Sequence, residues 1–136
     1  MKTKYSLLTL LVVLLVAIGC NKTDGGGPDP KPAYQMEGKW TYKDNSLNTM
    51  YIFDGGLRYT YYCTSGNCDS LYSSFEAGDT NALPTTHPYT FMHDTLVVDL
   101  HFGNKLISPI KFECNGEKAW VEKGGYYLYR LHSNCP

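Results

Sequence analysis

Past its first twenty residues the 136-residue sequence lacks any amphipathic stretch of helical length, any basic block and any motif that carries catalysis. Without apolar residues at helical spacing no long helix can bury a face, which excludes helical and α/β folds. Twelve lysines and arginines stand against thirteen aspartates and glutamates, and no arginine stripe is there to release counterions from phosphates. Nucleic acid is excluded as a partner. The only glycine triplet, Gly25 to Gly27, follows no strand and opens no helix, so it is spacer rather than phosphate cradle. Neither H-E-x-x-H nor G-x-S-x-G occurs, and His87, His93, His101 and His132 are scattered. No metal, cofactor or catalytic centre is expected. His93-Asp94 falls at a hairpin tip, where neighbouring side chains diverge, and reads as a turn rather than as a base with its orienting acid. His101 is expected to face solvent.

What the sequence has begins at its N-terminus. Lys2 and Lys4 precede a near-continuous apolar run, Leu7 to Ile18, too short to span a bilayer, and small residues Ala17 and Gly19 stand before Cys20. These are the parts of a secretory signal. The series Ala17-Ile18-Gly19-Cys20 resembles the lipobox of bacterial lipoproteins. That resemblance implies removal of residues 1–19, acylation of Cys20 with palmitate-type chains, and a membrane anchor in the cell envelope. Asn21 in place of an aspartate after the cysteine implies the outer membrane.

The remaining 117 residues hold ten basic and thirteen acidic side chains, a formal charge of −3, and are enough for one domain. Residues 20–35 are rich in glycine, proline and charge and read as a lipidated tether with a reach on the order of 20 Å. Residues 36–136 form the domain. Four cysteines remain, an even number for an oxidising space, and three pairings are possible. Cys63 with Cys68 is favoured, since Thr-Ser-Gly-Asn between them reads as a turn, which leaves Cys114 with Cys135. A zinc site would need tighter pairs.

Aromatic and β-branched residues dominate from Gly38 onward. Strands are predicted at 39–43, 49–54, 58–63, 71–75, 89–93, 95–100, 107–114, 118–122 and 126–131. Asp54-Gly55-Gly56, His93-Asp94, Gly103-Asn104, Asn115-Gly116 and Gly124-Gly125 supply tight turns between them. Short links pair neighbours in sequence, so the expected fold is all-β, an up-and-down antiparallel barrel of eight or nine strands. Pro109 removes a ladder donor and argues for an edge or a bulge. Residues 76–86 are the one long irregular segment, expected to rim the mouth of the barrel and to mark its binding end. Phe91, Phe112 and Tyr129 are expected to point inward and compete with any ligand for the interior.

Gly38-Lys39-Trp40 at the first strand and Tyr127-Leu128-Tyr129-Arg130-Leu131 at the last are similar to the ends of lipocalin-like barrels. The stretch between, with Asp94-Thr95-Leu96 and Phe102-Gly103-Asn104, resembles the short lipocalin-like domains of Bacteroidota lipoproteins. The resemblance implies that Arg130 packs over Trp40 of the Gly38-Lys39-Trp40 motif and closes the base of the barrel. The T-D-Y motif of classical lipocalins and their helix after the paired strands are missing, so their ligands do not carry over. Two functions follow: a non-catalytic binding module for a small apolar or amphipathic ligand, or a protein-interaction module, such as an enzyme inhibitor, acting through disulfide-held loops. Twelve tyrosines, clustered at 59–62 and 126–129, suit either a strand surface or a binding face.

Overall fold

The computed structural model describes residues 34–42, 48–64 and 67–136. The signal segment, Cys20 and the tether up to residue 33 lie outside the described residues, as does the end of the first predicted strand.

Tight links in the left-handed region of backbone space set the strand order. Gly55 and Gly56 (φ 53° and 80°) join β2 (Thr49–Asp54) to β3 (Leu57–Tyr62). His93 and Asp94 (φ 49° and 58°) likewise join β4 (His87–Met92) to β5 (Thr95–Asp99). Positive φ at both central residues matches the twist of the flanking strands. With β1 (Gly38–Thr41), β6 (Lys105–Glu113), β7 (Lys118–Val121) and β8 (Tyr126–Arg130), each strand pairs antiparallel with the next. The last returns to the first, Trp40 opposite Arg130 and Thr41 opposite Tyr129. The result is a closed barrel of eight strands, as expected from the turns.

Pro109 sits neither at an edge nor at a bulge. Residues 105–109 of β6 pair with β5, and residues 110–113 pair with β7. The proline stands where the strand exchanges partners, so its missing N–H interrupts no ladder.

The region 71–75, predicted as a strand, is instead helical: α1 spans Cys68–Ser74. Asn67 caps it, its side-chain oxygen accepting from the Ser70 N–H at 3.2 Å, and the Cys63–Cys68 disulfide pins its first residue. Cys68, Tyr72 and Phe75 recur at helical spacing and share one face. That face covers the outside of β2 and β3, where Met50, Ile52 and Tyr61 are buried with Tyr72 and Phe75. The Phe75 ring stacks on Tyr61 at 5.0 Å, and Tyr72 donates its hydroxyl proton to the Asn48 carbonyl.

The alternate residues of the same strands face inward. Trp40, Phe53, Tyr89, Leu96, Val98, Ile110, Ala119, Val121 and Leu128 form the interior core, with Phe91 and Phe112 packed against it. Tyr129 does not point inward as expected. It lies opposite Lys118 on the outer face, beside Tyr127 at 6.3 Å, because β8 turns Tyr126, Leu128 and Arg130 to the core.

Candidate functional site

The ends of the barrel differ in how they treat an inward arginine. At the end where the chain enters, Arg130 lies with its guanidinium 4.2 Å from the centre of the Trp40 ring. Its Nη2 donates to the Gln35 carbonyl at 2.8 Å, and its Nη1 to the Glu37 carbonyl. Trp40 is fully buried and donates its indole N–H to the Met36 carbonyl at 2.6 Å. Gly38 is required here: its φ of 112° disfavours a side chain, and a Cβ would collide with the Arg130 guanidinium. Tyr34 packs on Phe112 at 5.5 Å, so the last tether residues already belong to this plug. Two hollows open at this end. One of about 380 Å³ runs between Tyr34, Gly116, Glu117 and Arg130, and one of about 180 Å³ lies beside Met36, Tyr89 and Phe91.

At the far end the inward arginine is Arg58, and it is only 9% exposed. Its register partners are Phe53 on β2 and His87 on β4, which directs the side chain into the barrel. The guanidinium carbon lies 4.8 Å from the centre of the Tyr51 ring. Among the described residues, its Nε is the buried side-chain polar atom with no hydrogen-bond partner, and none of the ion pairs includes it. An arginine cannot escape by losing its proton. Leaving one buried N–H of a guanidinium without a partner costs about 1–3 kcal/mol, of which one tyrosine face returns about 1.

Tyrosines surround it. Tyr42 lies between Tyr51, whose hydroxyl is 3.5 Å from its own, and Tyr126, whose ring centre is 5.0 Å away. Burial, with help from the Tyr51 and Tyr126 hydroxyls, pushes the Tyr42 phenol well above its ordinary value. Burial likewise raises Tyr126, against the opposing effects of the Tyr42 hydrogen bond and the Arg58 charge. Both remain neutral hydroxyls. His87 Nδ1 sits 3.0 Å from the Asp99 carbonyl, and burial, helped by the Arg58 charge, holds its imidazole below the ordinary range despite that carbonyl. His101 is not turned to solvent as expected. Its ring is half-buried, 5.0 Å from His87, and Nε2 lies 2.8 Å from the Thr86 carbonyl, because positive φ at His101 folds the residue back over the barrel end.

The segment 76–86 does not rim this end as expected: it runs along the outside of β3, Tyr61 donating its hydroxyl proton to the Glu76 carbonyl at 2.6 Å, and reaches the barrel end only at Thr86, whose carbonyl meets His101. The Asp79 carboxylate accepts from the backbone N–H of Glu76 at 3.0 Å and of Asn81 at 2.8 Å, and the Leu83 N–H donates to Thr60 at 2.8 Å. Ala77 and Ala82 pack beside the outer cluster. Burial pushes the Asp79 carboxyl up, but its hydrogen bonds prevail and hold it below the usual carboxylate range. The disulfides are Cys63–Cys68 and Cys114–Cys135, with Cα atoms 5.6 Å and 6.0 Å apart. The first pins α1 and the second ties the β6–β7 turn to the C-terminus. Cys20 lies outside the described residues, and among the described residues no group of three or more histidines, cysteines or acids could hold a metal ion.

Arg58, Tyr42, Tyr51, Tyr126 and His87 were not singled out from sequence as a site. Fold and disulfides define a small closed antiparallel barrel with one polar aromatic end. Family models, curated proteins and solved structures were each compared with the chain, and none matches it.

Proposed function

We propose that this chain is an envelope lipoprotein whose barrel is a non-catalytic binding module, anchored by acyl chains on Cys20 and taking a small amphipathic ligand at the barrel end opposite the tether. The observation that carries the reading is the interior wall at that end. Tyr42, Tyr51 and Tyr126 offer ring faces and hydroxyls, around a buried arginine that the described residues leave without a hydrogen bond at Nε. Ligand sites combine an apolar aromatic lining with a few placed polar groups in this way. The N-terminal signal and Cys20 support delivery to the envelope, with the outer membrane as destination. Native mass spectrometry of the chain made in its own host tests the binding reading. A retained small molecule, lost on denaturation, is expected; apo protein throughout would contradict it.

Interaction with a protein is favoured by one separate observation. Phe102, at the tip of the β5–β6 link, is completely exposed, and Tyr62 at the same end is 50% exposed. A partner protein co-purifying in place of a small molecule would select that reading.

A further inference from the structure

We infer that the ligand is a small organic monoanion, its carboxylate or sulfonate held by Arg58 and its apolar or aromatic body lying against Tyr42, Tyr51 and Tyr126. This rests on the binding-module reading and adds the charge and the anchoring residue.

Two arginines enter the same barrel, and among the described residues Arg58 Nε is left without the hydrogen-bond partner that Arg130 finds on both of its Nη atoms. Arg130 makes two carbonyl hydrogen bonds and lies over an indole. Arg58, more than nine-tenths buried, has one phenol ring beneath it and a free Nε. A guanidinium presents its N–H groups as a planar fork that fits two oxygens of one acid group. The ligand's charge follows from what surrounds the fork. His87, kept neutral by burial and by Arg58 itself, adds no second positive charge. One cation among neutral hydroxyls matches one negative charge, whereas a phosphate dianion would leave a charge over. The hydroxyls of Tyr42 and Tyr51 lie close enough to each other for one to donate to the other or outward. The phenol rings leave no fixed charge for the body of the ligand to meet.

The test uses the full chain in lipid nanodiscs and fluorine NMR of two water-soluble probes, fluorophenylpropionate and its neutral carboxamide, against empty nanodiscs. The carboxylate should bind roughly ten- to a hundredfold more tightly than the amide, the range for a hydrogen bond to a charged group. Arg58→Met should abolish that preference while leaving amide binding in place, and Arg58→Lys should keep part of it. Fluorobenzenesulfonate should compete and inorganic phosphate should not. Equal binding of acid and amide by the unaltered chain would overturn the anion assignment and leave the binding module standing. Binding of neither would overturn the assignment, with the module then judged by what the chain retains in its host. A preference that survives Arg58→Met would place the anion on another cation. Asp44→Asn controls for the chain's own acid in the β1–β2 link: unchanged affinity is expected, and a tenfold gain would mean that the chain supplies the counter-ion.

Discussion

The same substitution at the two inward arginines should change stability in opposite directions. Arg130→Met removes a cation from the face of a fully buried tryptophan at 4.2 Å, worth about 2 kcal/mol when shielded. It also removes hydrogen bonds to the Gln35 and Glu37 carbonyls, which water can partly replace, so about 1 kcal/mol more is lost. The expected cost is roughly 3 kcal/mol. Arg58→Met removes the weaker contact with Tyr51, about 1 kcal/mol, but relieves an unpaired buried N–H whose cost is about 1–3 kcal/mol. The expected result is a gain of between about 0 and 2 kcal/mol, in line with buried charges that become more stable as apolar groups. Urea unfolding measures both, with an unchanged slope showing that the denatured state is the same. In thermal unfolding the two variants should move apart by more than about 10 °C for a domain of this size. A loss at Arg58→Met equal to that at Arg130→Met would refute the reasoning, because it would show Arg58 fully satisfied by the chain.

The remaining predictions concern the scaffold, the anchor and pH. Trp40→Phe combined with Arg130→Met should cost less than the two separate losses together by about 1–2 kcal/mol, and additivity in a double-mutant cycle would show that they do not interact. Phe75→Ala, which empties the stack on Tyr61, should destabilise by about 3 kcal/mol and expose α1 to protease; an unaltered cleavage pattern would contradict its packing role. Replacing Cys114 and Cys135 by serine should cost about 3.4 kcal/mol against about 2 for the Cys63–Cys68 pair, given sequence separations of 21 and 5, as judged by denaturant midpoints. His87 has a folded pKa below the ordinary 6.5, so the stability it contributes is present above that value and is lost as pH falls through the folded pKa. His87→Gln should flatten that acid limb in a pH series of melting temperatures. Cys20→Ala should move the protein from the membrane fraction to the soluble one, and retention in the membrane would place the anchor elsewhere.

Most of the barrel was legible because its turns are encoded locally. Gly55-Gly56 and His93-Asp94 hold the φ values that hairpins need, and the pairing of neighbours follows from links that short. The disulfides were legible for the same reason. The helix was not, because Leu71, Tyr72 and Phe75 read as a β-rich run, although Asn67 as a cap and the recurrence of Cys68, Tyr72 and Phe75 carried the helical signal. The inward turn of Arg58 depends on that helix. Once α1 covers the outer face, both faces of these strands are buried, and Arg58 and Thr60 turn inward. The anchor of Arg130 on Trp40 could be foreseen from the resemblance of the two barrel ends, whereas the lone Arg58 depends on a tertiary contact that no local pattern records.

The most direct measurement of the central claim is the side-chain Nε–Hε resonance of Arg58 in nitrogen-resolved NMR of the labelled chain. Titrated with fluorophenylpropionate, it should shift and become protected from solvent exchange, with ring signals of Tyr42, Tyr51 and Tyr126 moving alongside. If that resonance stays still while amides around Gly116 and Glu117 move, the ligand occupies the hollow at the tether end, and the account of Arg58 as the anchor is wrong.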